Sequence, residues 1–233
     1  MGHHLQRKKV SSLNPTEWTG RMKGIPCFIL GNAPSINEVN LSLLDNYFTI
    51  GINRIFYKYD PTVLIWQDLA LWIQEKKKVM ETKAIKYCRE GSDTRGGFYN
   101  FKLQGRDPRI APTPAVLYGR GSSGSITYQF ARCLYCDPII LVGMDCGHGM
   151  VDGNKVTDFY GDNPMHKPHT IPNCIKGLKF IRNSHKGKTI YNCSNTDVFP
   201  ERLTIEEVIE KLPDRKYSRE ELEGILLKGL KSD

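Results

Sequence analysis

The sequence lacks any run of apolar residues approaching the roughly 18 needed to span a bilayer, so no transmembrane segment is expected. Residues 1–11 carry His3, His4, Arg7, Lys8 and Lys9 but no apolar stretch, which disfavours a secretion signal and reads as a basic, flexible lead-in reaching to about residue 23. GxxxxGK[ST] does not occur, which disfavours P-loop ATP hydrolysis, and no standard nicotinamide binding is expected. The seven cysteines form an odd set in a long chain, so no disulfide scaffold is expected and a reduced, cytoplasmic setting is the default. One CxxC exists, Cys133–Cys136, with no second pair and inside an apolar helical run, where core packing outweighs zinc binding. Asp145, His148, Asp152, Asp158 and Asp162 supply hard ligands, but their order matches no EF-hand, HExxH or zinc-ribbon pattern, and no metal is expected. Internal repeats and low-complexity segments are also missing.

What is present suits one ordinary α/β domain. The chain has 233 residues, 39% of them hydrophobic, which is enough for a sizeable core. Its formal charge of +8 fits an anionic partner without choosing among a nucleotide, a nucleic acid and an acidic membrane surface. Apolar, β-prone runs at Ile25–Leu30, Phe48–Ile52, Val63–Trp66, Ile139–Val142 and Thr189–Cys193 each end in polar residues, with helical or turn segments between them. That rhythm predicts an α/β, Rossmann-like fold with a mostly parallel central sheet and an inserted lid or loop region. The catalytic domain is expected over residues 24–212, with irregular loops at 91–117 and 146–170 and a charged helix or tail at 213–233. Thr204 with Glu207 predicts a capped helix, and Pro172 fits the first turn of another.

The most informative stretch is Cys27–Ser35, a strand running into Gly31-Asn32-Ala33-Pro34-Ser35. Ser35, with Glu38 three residues on, is positioned to cap a helix whose first N–H groups would suit a phosphate. A second small-residue turn, Gly119–Ser125, precedes another helix. In a parallel sheet the strand ends converge on one crevice. Pooling them gives Asn32, Ser35, Asn53, Gln67, Asp68, Gly124, Asp145 and Asn195. His166 and His169 stand just before a late helix, where a histidine can act as general base. Arg54, Arg120 or Lys167 could balance a phosphate, and Tyr160 could donate to one.

These residues resemble a known group. Gly31-Asn32-Ala33-Pro34-Ser35-Ile36 and Gly51-Ile52-Asn53-Arg54-Ile55-Phe56 look like paired elements of bacterial lipooligosaccharide-type sialyltransferases, in a superfamily that includes 6-hydroxymethylpterin diphosphokinase-like proteins. Gly124-Ser125-Ile126, Ile140–Asp145 and the His169–Ile181 run extend the likeness over about residues 26–195. The resemblance implies a metal-independent glycosyltransferase using a UDP- or CMP-linked sugar. It implies nucleotide contacts at Gly31, Asn32, Ser35, Asn53, Ser123, Gly124 and Ser125, with Asp145 shaping the pocket or touching the sugar. It implies His169 as the base, His166 as its competitor, and Tyr160 beside the leaving phosphate. No permanently bound cofactor is expected, and the oligomeric state stays open.

The acceptor is read from charge. Arg95, Arg106 and Arg109 in an aromatic loop, with the basic N-terminus, suit a duplex DNA backbone. A hydroxymethylated base, such as some viral DNAs carry, would offer the hydroxyl; a viral protein would then work in the host cytoplasm. Trp72, Phe98 or Tyr99 would fill the place of the flipped base. The alternatives are a glycan acceptor and a Mg²⁺-dependent diphosphotransferase acting on a pterin-like hydroxymethyl group.

Overall fold

The computed structural model describes residues 13–105, 109–119, 122–161, 166–185 and 187–228. Along the chain run β1 (Cys27–Leu30), β2 (Phe48–Ile52), β3 (Val63–Trp66), α1 (Leu69–Glu81), β4 (Ile85–Arg89), β5 (Tyr99–Gln104), β6 (Val116–Tyr118), α2 (Ser123–Cys133) and β7 (Ile139–Val142). They are followed by β8 (Gly149–Val151), β9 (Asn154–Val156), α3 (Thr170–Ser184), β10 (Ile190–Cys193), α4 (Ile205–Glu210) and α5 (Arg219–Leu227). Eight strands make one sheet in the order β10-β7-β1-β2-β3-β4-β5-β6, and every neighbouring pair is parallel. The predicted α/β, Rossmann-like class is what the chain adopts.

The strand sequences explain the layers. β1, β2, β3 and β7 are buried along their whole length, as strands covered by helices on both faces must be. Their side chains alternate between two cores. Cys27 and Ile29 of β1, with Ile139 and Leu141 of β7, pack with α2, α3 and α5 through Ile126, Phe130, Leu178, Ile181, Leu222 and Leu226. Phe28 and Leu30, with Ile140 and Val142, pack with α1 and α4 through Leu71, Trp72, Val79, Ile205 and Val208. α4 and α5 each start with a complete capping box, Thr204 with Glu207 and Ser218 with Glu221.

Several expectations change. Residues 91–117 hold β5 and β6, which extend the sheet beyond β4. β4 is not among the apolar runs expected as strands, because Ile85–Arg89 has a mixed polar pattern and only Tyr87 and Cys88 are fully buried. The core also takes in part of the expected lead-in: Trp18 and Met22 are completely buried, and the Trp18 ring lies 4.3 Å from that of Tyr99. Trp72 and Phe98 are buried in the α1-side core and Tyr99 is held against Trp18, so none of them is placed to stand in for a flipped base. The 146–170 loop carries the antiparallel β8–β9 hairpin. His3, His4, Arg7, Lys8, Lys9, Arg106, Arg120 and Asp162 lie outside the described residues.

The topology matters most at one place. The chain leaves β1 and builds the sheet outward to β6, then returns to lay β7 on the other side of β1. The strand order reverses between β1 and β7, and such a reversal leaves a crevice at the carboxyl ends of the two strands. The turns after them meet closely: Gly31 N–H donates to Val142 O at 2.8 Å and Ala33 N–H to Gly143 O at 3.0 Å. A Cβ on Gly31 would lie 2.1 Å from the Gly143 carbonyl oxygen, a backbone atom that cannot move aside alone. Gly31→Ala is therefore expected to lose about 3 kcal/mol of stability, read as a lowered urea midpoint at unchanged m-value.

Candidate functional site

A cleft of about 440 Å³ opens at the reversal point. Its floor comes from the turns after β1 and β7, Gly31–Ala33 and Gly143–Gly147. Asn53 follows β2, and Gln67 with Asp68 follows β3. Ser122–Gly124 opens α2, Thr157 and Asp158 follow β9, and His166, Lys167, His169 and Thr170 lead into α3. Five of the residues singled out as ligand contacts (Gly31, Asn32, Asn53, Ser123 and Gly124) thus meet around one space, with Asp145 beside them.

Asp145 organises this space. It is buried, and its Oδ1 accepts from Ser35 Oγ at 2.6 Å and from the Asn195 amide at 2.9 Å, while Oδ2 accepts from the Ser35 amide at 3.2 Å. One carboxylate thereby ties together the loops after β1, β7 and β10. The same bonds correct the expectation for Ser35. Pro34–Glu38 is a five-residue 3-10 turn with Ala33 at its cap position, so Ser35 caps no α-helix. Its amide and hydroxyl face Asp145 and do not line the cleft.

Asn32 is buried, and its Nδ2 donates to Ile52 O at 2.9 Å. Its Oδ1 has no hydrogen-bond partner among the described residues, an arrangement buried polar atoms rarely keep unless something else supplies the donor. Asn53 takes the left-handed backbone conformation, φ 49°, which asparagine tolerates better than most residues. Gln67 Nε2 donates to Ser123 Oγ at 2.8 Å, joining the β3 end to the α2 start. Ser122 caps α2 by accepting from the Ser125 amide, and Ser125 is fully buried behind the wall. The N–H groups of Ser123 and Gly124 open an 11-residue helix toward the cleft, a setting that suits an anion.

The two histidines differ. His166 Nδ1 lies 3.0 Å from Thr157 Oγ1 and its Nε2 3.6 Å from Asp158 Oδ2, so both ring nitrogens meet protein groups. His169 occupies the cap position of α3 without a capping bond from its side chain, and it lines the cleft. Tyr160 sits beneath the wall. Burial, and then the Asp158 charge, push its hydroxyl up to about 12 against the opposing pull of Arg54. Arg54, with its Cζ 5.4 Å from the Tyr160 ring centre, is bonded to Glu75 at 2.7 Å and is committed there rather than to a phosphate in the cleft. Lys167 is the basic side chain that lines the cleft among the described residues. No three acidic, histidine or cysteine side chains of the described residues gather as metal ligands. Thr157, Cys146 and Cys174 also line the cleft, and no sequence pattern marks them because they come from a hairpin exit, a strand exit and a helix face.

Two carboxylates here respond oppositely to pH. Partial desolvation at the cleft wall holds Asp68 above the usual carboxylate range, with Arg89 pulling partly back. The folded state then favours protonated Asp68, which contributes stability at pH below the unfolded value and loses it as pH rises through the folded one. Asp68→Asn is expected to stabilise the protein slightly at pH 7, by less than about 1 kcal/mol given its solvent contact, with the gain gone at low pH. Glu75 is lowered: burial opposes this, but hydrogen bonds from Arg54 and Tyr57 prevail. Its contribution is present above the unfolded value and fades as pH falls through the folded one, so Glu75→Gln should lose about 2 kcal/mol at pH 7 and less in acid. Urea titrations of both variants at a series of pH values check the opposite signs.

No protein-family model matches the chain, and no curated protein matches it. Among solved structures it resembles the MAf glycosyltransferase of Magnetospirillum magneticum, at 13% identity over 92% of this chain and with a TM-score of 0.50. The likeness spans 43% of that protein's length. The sialyltransferase CstII of Campylobacter jejuni is a looser match: bound to cytidine-5'-monophosphate it gives a TM-score of 0.42 at 14% identity, over 78% of this chain and 82% of that one. With CMP-3FNeuAc it gives 0.39 at 14% identity, over 72% and 79%. The fold is therefore a Rossmann-like α/β fold, similar to that of part of the MAf glycosyltransferase.

Proposed function

We propose that the protein transfers a sugar from a CMP- or UDP-linked donor to a hydroxyl of a glycan. The observation that carries this reading is the meeting, at the strand-order reversal, of Asn32, Asn53 and the α2 start with the histidines that lead into α3. Asn32 Oδ1 offers an acceptor to the nucleotide, and Asn53 and the Ser123–Gly124 turn flank it. The donor's phosphate lies at the first N–H groups of α2, with Lys167 adding positive charge. His169 takes the acceptor proton as the sugar's bond to the phosphate breaks. Tyr160 and Arg54 support the wall from behind. Asp145 holds the loops in place and takes no part in bond making.

A glycan is favoured over duplex DNA because the aromatic side chains that would replace a flipped base are part of the core. The protein then works on an acceptor whose hydroxyl is already exposed and needs no unstacking.

The test is a thermal-shift and hydrolysis panel of CMP-, UDP-, GDP- and ADP-linked sugars in the presence of chelator, with ATP and Mg²⁺ in a parallel arm free of chelator. A CMP- or UDP-sugar is expected to raise Tm by about 6 °C at a hundredfold excess over its Kd and to be hydrolysed slowly. Stabilisation by ATP with Mg²⁺ and by none of the sugars would replace this reading with the diphosphotransferase. A mobility shift with duplex DNA at low salt would restore the DNA acceptor. His169→Ala is expected to lower kcat by about 10²–10⁴-fold while the donor's thermal shift persists; His166→Ala tests the competitor in the same assay.

A further inference from the structure

The seven cysteines fall into two groups. Cys27, Cys88, Cys133, Cys136 and Cys193 are buried, while Cys146 and Cys174 are partly exposed. Those two also line the cleft, with their thiols close enough to interact. They come from different elements. Cys146 follows the Asp145 clamp with the left-handed backbone conformation, φ 55°, and Cys174 lies in the second turn of α3, the helix that His169 opens.

We propose that Cys146 and Cys174 form a reactive dithiol in the cleft wall, a modification site that closes to a disulfide by exchange with a small disulfide such as oxidised glutathione. The Cys174 thiolate attacks one glutathione sulfur, and the glutathione S–S bond breaks with release of one glutathione thiolate. The Cys146 thiolate then attacks Cys174 Sγ in the mixed disulfide and expels the second glutathione. The protein loses two hydrogens, and one oxidised glutathione becomes two reduced ones.

The order of attack follows from that interaction. The neighbouring Cys146 draws Cys174 below the ordinary thiol value, against burial and the Asp158 charge, and the same interaction holds Cys146 above it. Cys27 and Cys136 are an internal contrast: they also interact but are sealed in the core, where burial raises Cys27 further. Closure would fasten the first turns of α3 to the β7 exit and fix the width of the cleft between them. The site rests on the cleft geometry alone and not on the identity of the donor.

The test uses the full chain. Wild-type protein is incubated with oxidised glutathione, digested under acid quench and mapped by mass spectrometry, in parallel with Cys174→Ser and Cys146→Ser. A Cys146–Cys174 disulfide is expected in wild type. Cys146→Ser should stop at a stable glutathione adduct on Cys174, and Cys174→Ser should react at least about tenfold more slowly, as follows from losing the lower-pKa thiol. N-ethylmaleimide should label these two positions in the native protein before any of the other five. A disulfide mapped to Cys27–Cys136, or uniform labelling of all the cysteines, would overturn the proposal. Because the wild-type mapping alone decides between these results, misfolding of a variant does not blur them, and failure of every nucleotide-sugar assay leaves the outcome untouched.

Discussion

The structure depends on a buried carboxylate. Asp145 follows β7 and is satisfied by two amides and a hydroxyl from the loops after β1 and β10. A buried charge is tolerable only when its lone pairs are filled, so the three loops must hold one arrangement. Parallel strands fix where the loops begin, and the carboxylate fixes where they go. Met144 N–H donating to Ser194 Oγ at 2.9 Å adds a second tie between the β7 and β10 exits. The cleft is thus shaped by groups that themselves point away from it.

That arrangement separates support from contact. Ser35, Ser125, Arg54 and Tyr160 have the chemistry to meet a phosphate, yet each is bonded to the protein behind the wall. Asn32, whose buried Oδ1 has no partner among the described residues, and His169, without a capping bond, line the cleft instead. The difference follows from burial energetics. A polar group behind the wall needs a permanent partner, whereas one at the surface of the cleft can exchange water for a ligand. The proposed glycosyl transfer and the proposed dithiol use the same opening, because His169, Cys146 and Cys174 all line it.

Glycine has a specific place in this design. Gly31 is required because the β1 and β7 turns approach within backbone contact. Gly177 of α3 faces Ser122 and Ser125 so closely that a Cβ there would lie 2.5 Å from Ser122 Oγ, which lets α3 pack down on the start of α2. The helix preceded by His169 and the helix whose first amides face the cleft are therefore held side by side by a missing side chain.

The buried strands β1, β2, β3 and β7 were legible in the sequence because a strand covered on both faces must be apolar throughout, and so was the capping box of α4, which is local. The residues at the strand ends were legible as candidates because parallel sheets gather them at one edge. β4 and β5 were not, since outer strands carry mixed polarity and resemble helix or loop until the neighbouring strand supplies their hydrogen bonds. Ser35 read as a cap because its sequence spacing suits one, but the Asp145 carboxylate 110 residues away binds it more strongly than a local amide could. The pairing of Cys146 with Cys174 had no sequence signature either. The sequence by itself determined the layers and the set of polar residues available at the sheet edge. Only the tertiary structure decided which of them face the cleft, because that depends on long-range hydrogen bonds whose partners no local pattern names.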